Sequence, residues 1–598
     1  MRSVKIGCWA GFWGDSQFAA SQLIAVEGLD YLISDYLAEV TMSLLVRARA
    51  KSPDMGYAPD AIAAIAPLLS QIKQRGIKVV TNAGGINPQA CRAALAEVAK
   101  QAGVDLSIAT VTGDDVMARA DLLQAPGLKE MFSGVAAPSQ FTSANAYFGA
   151  RPIARALDAG ADIVITGRCT DSALALGPLM HEFGWQDDDW DMLATGSLVG
   201  HLLECGAQVA GGIHTDWRDV GGWDDMGFPV AECHADGRFT ITKPEDTGGI
   251  VTIGTVAEQL LYEIGDPASY ILPDVICDFT KVKLAEDGPD RISVSGTRGR
   301  PCTDQYKISA TYQDGFRAMS MPTLIGPDSA ERAQVLGDSI IRRCERILRS
   351  RNMPGFDEVS IEVLGAEANY GARAATNPRE VVLKIGVRHA QREAVNVFAS
   401  EIAPMGTGGP QGLTGFFAGR PRPQPVVRLF SFLAPKAGIP PHVELDGKPV
   451  DCTVAPGTST PGPAPDSASK PTPLTGGEPM VDVPLVALAW GRSGDKGDLA
   501  NIGLIARKPA YLPFIRAGLP ASAVAEYFAH FCQGRVDCFE LPGLHALNFV
   551  LHDTLGGGGM ASLRIDPQGK AYAQILMDLP IAVPARLAQE NDLPGAPR

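Results

Sequence analysis

The residues best suited to chemistry form a short stretch near the C-terminus, Trp490–Ile505, with the sequence W-G-R-S-G-D-K-G-D-L-A-N-I-G-L-I. Arg492, Ser493, Asp495 and Lys496 lie within five residues of one another. A turn needs one or two glycines, but it does not need so many ionisable groups beside them. The composition therefore predicts a ligand-binding loop, and the alternative is a polar hairpin turn with internal ion pairs.

Each residue type in this stretch has a predicted role. Arg492 and Lys496 supply positive charge for a phosphate or a carboxylate. Gly494 lets the backbone N–H groups approach a ligand closely. Ser493, Asp495 and Lys496 are the predicted catalytic residues, and Arg492 and Gly494 are predicted to bind substrate.

Residues 1–190 alternate short apolar runs with helical patterns, and polar turns follow the apolar runs. Such an alternation predicts a mostly parallel sheet covered by helices, in which the carboxyl ends of the strands share one edge. We therefore expect the turns to meet in one crevice, although turns are rich in Gly, Asp and Asn for conformational reasons alone. They are G-F-W-G-D-S (11–16), Asp35-Tyr36, T-N-A-G-G (81–85), G-D-D (113–115) and T-G-R-C-T-D-S (166–172).

These turns supply a second set of predicted site residues. Carboxylates in the crevice can act as bases, glycine N–H groups can hold an oxyanion, and an arginine can bind a carboxylate or a CoA phosphate. The predicted catalytic residues are Asp35, Glu39, Arg168 and Asp171. The predicted substrate-binding residues are Gly11, Asp15, Ser16, Asn82, Gly84, Gly85 and Gly167.

The sequence contains no dinucleotide fingerprint, P-loop or G-x-S-x-G elbow. The pair Asp114-Asp115 has the chemistry of a magnesium site, but a capping role is the favoured interpretation and no metal ligand is predicted. Metal-dependent hydrolysis through Asp114-Asp115 and Asp224-Asp225 remains an alternative. Glu204-Cys205 near a histidine also suggests acid–base chemistry, and a buried cysteine beside a glutamate at a helix end is the plainer interpretation.

The predicted fold class is α/β, with a small C-terminal α+β domain of ferredoxin-like pattern. We expect a parallel α/β lobe in residues 1–225, an α+β lobe in 226–452 and a Pro/Gly/Ser-rich linker in 453–482. The ferredoxin-like domain follows in residues 483–598. The length of 598 residues and the 45% hydrophobic content are sufficient for a large core.

The formal net charge of -15 argues against nucleic acid and anionic membranes as partners. Eleven scattered cysteines without a C-x-x-C pair indicate reduced thiols, and the N-terminus lacks the apolar core of a signal peptide. We therefore expect a cytoplasmic protein whose substrate is a small molecule. We also expect the protein to form a homo-oligomer.

Several long motifs resemble the AtuA family, the acyclic terpene utilisation proteins of bacteria. They cover nearly the whole chain and occur in order. They include T-N-A-G-G-I-N-P (81–88), I-T-G-R-C-T-D-S-A-L-A-L-G-P (165–178), G-H-L-L-E-C-G-A-Q-V-A-G-G (200–212), L-L-Y-E-I-G-D-P (260–267) and R-S-G-D-K-G-D-L-A-N-I-G (492–503). Asp498 stands where many relatives are expected to have Asn, which weakens a charge-dependent role at that position.

The resemblance implies a place in the breakdown of branched acids as CoA thioesters, and it carries over no catalytic residue. Together with the carboxylate-rich crevice, it suggests an enzyme, a lyase or hydro-lyase (hydratase) acting on a branched acyl-CoA or a related carboxylate. A CoA thioester is expected as substrate rather than a bound redox cofactor. The alternative is a non-catalytic partner or scaffold of an acyl-CoA carboxylase or lyase.

Overall fold

The computed structural model describes residues 2–415, 419–460, 462–468, 477–559 and 561–594. The side chains of Glu39 and Val40 lie outside this description.

The strands follow one another in this order: β1 Ser3–Cys8, β2 Tyr31–Ser34, β3 Lys78–Thr81, β4 Ile108–Thr112, β5 Ser143–Ala146, β6 Ile163–Thr166, β7 Val230–His234, β8 Phe239–Thr242, β9 Tyr270–Ile271, β10 Ile276–Asp278, β11 Lys283–Glu286, β12 Ile292–Ser295, β13 Arg298–Arg300, β14 Gln305–Ser320, β15 Thr323–Ile325, β16 Glu358–Leu364, β17 Glu380–His389, β18 Leu413–Thr414, β19 Gln424–Pro435, β20 His442–Leu445, β21 Lys448–Val450, β22 Met480–Pro484, β23 Ala489–Lys496, β24 Leu499–Ala506, β25 Val536–Leu541, β26 Ala546–Leu551 and β27 Pro580–Pro584.

The α-helices are α1 Ala19–Ile24, α2 Glu39–Lys51, α3 Pro59–Ile65, α4 Leu69–Arg75, α5 Pro88–Gln101, α6 Ala120–Leu123, α7 Arg151–Asp158, α8 Ala173–Phe183, α9 Trp190–Leu203, α10 Ile253–Leu261, α11 Ser329–Ser350, α12 Arg392–Glu401, α13 Met405–Gly408, α14 Leu512–Gly518, α15 Ala521–Tyr527, α16 Tyr572–Leu576 and α17 Ala585–Glu590.

The largest sheet has eleven strands in the order β11-β12-β8-β7-β1-β2-β3-β6-β4-β20-β21. Its centre, β1-β2-β3-β6-β4, is parallel, as the sequence predicts. Every residue of β2 and of β6 is buried, because separate apolar cores cover the two faces of the sheet. The carboxyl ends of these five strands therefore lie along one edge.

The sheet does not stop at the predicted boundary between residues 225 and 226. The antiparallel strands β7, β8, β11 and β12 extend one side of it, and β20 and β21 extend the other. A second sheet, β18-β15-β17-β14-β19, also pairs with β16 and with β5 of the first 225 residues. The two predicted lobes are thus interwoven, since each sheet takes strands from both.

The C-terminal domain is ferredoxin-like, with a four-stranded antiparallel sheet in the order β23-β24-β26-β25. Its core includes Phe528 and Phe549, and the separate two-stranded antiparallel sheet β22–β27 contributes Val483 and Val583 to the same core. The expected loop at 492–498 is wrong: residues 489–496 form β23, and the hairpin turns only at Gly497-Asp498. Residues 572–576 form helix α16.

The segment between the large domain and the C-terminal domain is in contact with both. Thr458 exchanges backbone hydrogen bonds with residues 302 and 304, with N–O distances of 2.9 and 3.2 Å. Ser467 Oγ donates to Asp266 Oδ1 at 2.7 Å, and its carbonyl accepts from Glu540 N at 2.7 Å. In the predicted linker, 453–482, residues 461 and 469–476 lie outside the described part of the chain, and β22 begins within it at Met480.

No helix in the described ranges is long and apolar enough to cross a membrane.

Candidate functional site

The polar residues that follow β2, β3 and β6 meet at the parallel edge of the large sheet. Asn82 Nδ2 donates to Asp35 Oδ1 at 2.6 Å, and Asn82 Oδ1 accepts from Tyr36 N at 2.7 Å. Arg168 Nη1 donates to Asp171 Oδ1 at 3.0 Å and to the carbonyl of Leu37. The predicted convergence of turns 35–36, 81–85 and 166–172 is therefore present.

Arg168 is the centre of this edge. Its side chain is 3% exposed, donates to Tyr147 OH at 2.9 Å and lies 4.2 Å from the centroid of the Tyr147 ring. Burial, and then the charge of Asp171, raise the pKa of Asp35 well above its usual range, although Arg168 opposes the shift. Asp171, at 27% exposure, is the more exposed partner of the Arg168–Asp171 ion pair.

The buried Asp114 carboxyl holds the backbone at Arg168 in place. Its Oδ2 accepts from Arg168 N at 2.9 Å and from Asn145 Nδ2 at 2.8 Å. Burial raises its pKa to about 7, against the lowering effect of these hydrogen bonds. A Cβ at Gly167 would lie 2.3 Å from Asp114 Oδ1, so only glycine fits there.

The predicted glycines of this edge act mainly through close packing. A Cβ at Gly84 would lie 2.5 Å from the carbonyl oxygen of Thr166. The N–H of Gly85 donates to Asn82 O and that of Gly167 to Val111 O, both at 3.1 Å. These two N–H groups are already used by the backbone, and we do not assign them to an oxyanion.

The loop after β1 lies against the end of α9. A Cβ at Gly11 would lie 2.7 Å from the carbonyl carbon of Cys205. Asp15 accepts from Gly11 N at 2.9 Å and from Ser16 N at 2.7 Å, and burial raises its pKa. Ser16 itself is exposed. Asp15 therefore shapes the loop that holds residues 204–206 at the sheet edge.

Glu204 is a member of this site that the predicted set did not include. His201 Nδ1 lies 3.1 Å from Glu204 Oε1, and His201 Nε2 lies 3.1 Å from the carbonyl of Leu260. Burial would lower the pKa of His201, but Glu204 raises it above its usual value. The sequence E-C at 204–205 suggested acid–base chemistry at this position, but the same pattern fits an ordinary helix end equally well.

The β23–β24 hairpin of the C-terminal domain packs directly on the large domain. A Cβ at Gly494 would lie 2.4 Å from Tyr262 Cε2, so glycine is needed for this approach. Arg492, 5% exposed, donates to Gln208 Oε1 at 2.7 Å and lies 4.5 Å from the Tyr262 ring centroid. The hairpin thus faces the residues that follow α9 and α10.

The other predicted residues of the hairpin differ in their surroundings. Ser493 is fully buried; its Oγ donates to Lys570 O at 3.1 Å and accepts from Ala573 N at 3.0 Å. Asp495 lies 3.6 Å from Lys570 Nζ. Lys496 Nζ pairs with Glu263 Oε2 at 3.0 Å and keeps 43% exposure. Ser493 therefore orients the chain at Lys570, whereas Asp495 and Lys496 belong to a charged cluster.

Asp498 and the acidic pairs have local roles. Asp498 Oδ1 accepts from Leu555 N at 2.9 Å and Gly557 N at 3.0 Å, which fixes the glycine-rich turn. Asp115 caps Met117 N at 2.9 Å, and Asp225 accepts from Gln22 at 2.6 Å. No group of three or more His, Cys, Asp or Glu side chains among the described residues has the arrangement of a metal site.

Charges from both domains act on Glu204. Burial raises its pKa, His201 lowers it, Asp171 raises it and Lys496 lowers it. Asp171 belongs to the sheet edge and Lys496 to the C-terminal hairpin. Glu204 therefore lies within electrostatic range of both predicted site regions, which are separated by more than 300 residues in sequence.

Two open cavities lie outside this cluster. One, of about 550 Å³, is lined by residues of the 117–141 segment, and the other, of about 510 Å³, lies between Ala468 and β25. None of the acid–base residues named above lines either cavity.

The architecture defines a class: a large mixed α/β domain whose parallel-sheet edge is faced by a ferredoxin-like C-terminal domain. Residues 4–445 match the acyclic terpene utilisation family protein AtuA, and residues 483–582 match the AtuA ferredoxin-like domain. The chain belongs to the AtuA family, as its motifs suggested, and its context is acyclic terpene utilisation. Neither curated proteins nor solved structures gave a match.

Proposed function

We propose that the chain is a lyase or hydro-lyase that acts on a branched acyl-CoA or a related carboxylate in acyclic terpene breakdown. The family supplies the pathway context. The observation that carries the reaction type is the meeting of Asp35 and Asp171 at the sheet edge, where Arg168 donates to Asp171 Oδ1 at 3.0 Å and to the carbonyl of Leu37. Adding or removing water beside a thioester carbonyl needs groups in complementary protonation states.

Asp35 and Asp171 would act on the oxygen atom that leaves the substrate as water or is added to it from water. In dehydration, the protonated Asp35 gives its proton to the hydroxyl group as the carbon–oxygen bond breaks. In hydration, the same Asp35, then ionised, takes the proton from the attacking water, and Asp171 holds that water by accepting its other hydrogen bond. The proton on the carbon next to the carbonyl needs a separate base.

Lys496 is proposed to bind an anionic part of the substrate. Its side chain is 43% exposed, and its partner Glu263 is 24% exposed. An ion pair of this kind is weak in water and can exchange its carboxylate for a substrate carboxylate or a CoA phosphate. The side chain of Glu39, a predicted base, lies outside the described residues, so the proposal gives it no role.

The test is turnover of a panel of 3-hydroxyacyl-CoA and enoyl-CoA esters, branched and straight, with and without divalent metal, followed by mass spectrometry. We expect turnover of a branched member. Asp35→Asn should lower kcat by about 10²- to 10⁴-fold, the usual loss for an acid–base group. Lys496→Met should raise KM instead, while the exposed control Asp105→Asn should match the unmodified chain. Failure of every branched ester would refute the proposal.

The alternative is a non-catalytic partner of an acyl-CoA carboxylase or lyase. The motivation for this alternative is the small C-terminal domain that follows the predicted linker, 453–482. The docked hairpin weakens that motivation, because Arg492 and Trp490 are held by Gln208 and Asp216 of the large domain. Recovery of a stoichiometric enzyme partner from the host, together with an inactive purified chain, would favour the alternative.

A further inference from the structure

His214 and Glu258 form a buried pair beside helix α10. His214 Nδ1 lies 2.8 Å from Glu258 Oε2, and the two side chains are 3% and 5% exposed. The other carboxylate oxygen of Glu258 accepts from Thr215 N at 3.2 Å and from the Thr215 hydroxyl. Because a carboxylate only accepts hydrogen bonds, Nδ1 supplies the hydrogen of its contact with Glu258.

The second ring nitrogen of His214, Nε2, faces the beginning of the same helix. A Cβ at Gly254 would lie 3.0 Å from His214 Cε1, so the ring rests on the helix at this glycine. Gly254 and Glu258 are one turn apart on one face of α10. With Nδ1 directed at Glu258 and Cε1 at Gly254, Nε2 is directed away from Glu258, toward the first turn. Within the described part of the chain, no hydrogen-bond partner of Nε2 is found.

The first turn of α10 presents two backbone N–H groups at this place. Its capping box is complete: Thr255 N donates to Thr252 Oγ at 3.2 Å, and Thr252 N donates to Thr255 Oγ at 3.0 Å. The N–H groups of Ile253 and Gly254 are left over by the cap, and no acceptor for them occurs among the described residues. Thr252 and Ile253 are half-buried, so solvent reaches the turn.

The C-terminal domain closes one side of this helix end. The Cβ position of Gly254 also lies 3.0 Å from Trp490 Cε2, so the indole packs on the same glycine as the imidazole. Trp490 Nε1 donates to Asp216 Oδ2 at 2.7 Å, which orients the ring. The helix end is therefore enclosed by side chains of both domains.

The carboxylates around the helix end already have cationic or histidine partners. Asp216 pairs with Arg507, and Glu258 pairs with His214. Asp290 accepts from the backbone N–H of residue 251 at 2.8 Å and lies 3.4 Å from Lys243 Nζ. These pairs largely cancel one another, and the partial positive charge of the helix N-terminus then favours a further anion.

We propose that His214 Nε2 and the N–H groups of Ile253 and Gly254 form an oxyanion-binding site at the N-terminus of α10, which takes a carboxylate or a phosphate group. The imidazole binds as imidazolium: Nδ1–H donates to Glu258 and Nε2–H donates to the anion. A neutral ring takes up one proton from solvent when the anion binds. The site goes beyond the proposed function and shares no residue with the sheet-edge site.

The experiment uses the full chain with its nine histidines labelled with ¹³C at Cε1. Inorganic phosphate and, separately, 3-methylbutanoate are titrated at constant pH and ionic strength, and the two arms distinguish phosphate from carboxylate. We expect the NMR signal of His214 to move along a saturable curve with at least one anion, while exposed His442 and His545 stay in place. A His214 signal that does not move, or that follows His442 without saturation, overturns the inference.

Glu258→Gln tests the pair itself, and it also identifies the His214 signal by displacing it. Loss of one charge-assisted hydrogen bond to the imidazolium should weaken anion binding by about 10- to 100-fold. His545→Asn is the matched control: this exposed residue has φ +52°, which asparagine tolerates, and affinity should be unchanged. His214→Asn should abolish binding in calorimetry, with the other eight histidine signals reporting that the chain is folded. Unchanged affinity in Glu258→Gln overturns the inference.

Discussion

At the end of β4, the Asp114 carboxyl is 4% exposed and lies between an N–H group and a side-chain amide. Neither donor is a cation, so the charge on the carboxylate is only partly compensated. Because its folded-state pKa is raised to about 7, the folded chain holds a proton that the unfolded chain has lost from about pH 4 upward. The contribution of this group to the free energy of unfolding is fully present below about pH 4 and is lost as the pH rises through 7.

Asp114→Asn should remove this pH dependence. Between about pH 4 and 7, the variant should gain stability relative to the unmodified chain by at most about 1.4 kcal/mol per pH unit, the limit for one proton. The measurement is the difference in Tm between the two chains at half-unit pH steps. Asp105→Asn, at an exposed position, is the control and should give a constant difference. A constant difference for Asp114→Asn would contradict the raised pKa.

Among the elements, the β23–β24 hairpin shows why glycines recur in the R-S-G-D-K-G-D-L-A-N-I-G motif. A Cβ at Gly494 would lie 2.4 Å from Tyr262, and one at Gly503 would lie 2.6 Å from Leu261 Cβ. The two glycines let the strands approach the end of α10, and Asn501 then reaches the Leu261 carbonyl at 2.7 Å. The glycines serve packing between elements, and the hairpin turn itself uses Gly497, at φ +65°.

Gly494→Ala should push the hairpin away from Tyr262. Overpacking of this kind costs about 1–3 kcal/mol, which corresponds to a fall of several degrees in the Tm of a domain of this size. Gly265→Ala is the matched control, because a Cβ there meets nothing within 4 Å. Differential scanning calorimetry of both variants checks the effect. Equal Tm values would show that the hairpin is not held tightly against α10.

For the whole molecule, the position of the C-terminal domain decides whether the site is complete. Asp216 of the large domain receives two hydrogen bonds of 2.6 Å from Arg507 and one of 2.7 Å from Trp490 Nε1. Burial would raise the pKa of Asp216, but Arg507 and Trp490 hold it below its usual value. This bidentate pair helps to hold the C-terminal domain against the large domain.

Breaking the pair should loosen the docked domain. Asp216→Ala and Arg507→Ala should each increase hydrogen exchange in β23 and β24, and the double variant should be little worse than either. A coupling energy of about 1 kcal/mol is expected, because both side chains are partly exposed. Hydrogen-exchange rates of the unmodified chain, the two single variants and the double variant, measured by mass spectrometry, complete this double-mutant cycle. Strictly additive effects would show that the two residues do not act together.

Local signals in the sequence were sufficient for the central strands, the ferredoxin-like domain and the turns that meet at the sheet edge. Apolar runs of four residues bounded by polar turns are short-range features, and parallel strands must bring their carboxyl ends to one side. Asp35, Asn82, Arg168 and Asp171 could therefore be placed together from the sequence alone. The loop expected at 492–498 is wrong because residues 492–496 pair with β24 and, at Arg492 and Gly494, pack on the large domain.

The tertiary structure alone decided which distant residues share the interface. Nothing near Lys570 in sequence indicates its contact with Tyr262, which lies more than 300 residues earlier. The charges of Asp171, after the sheet, and of Lys496, in the hairpin, likewise both shift the pKa of Glu204 only because the two domains are docked. Strand order and domain docking fix these distances, and electrostatic effects depend on distance and burial in space, which local sequence patterns do not encode.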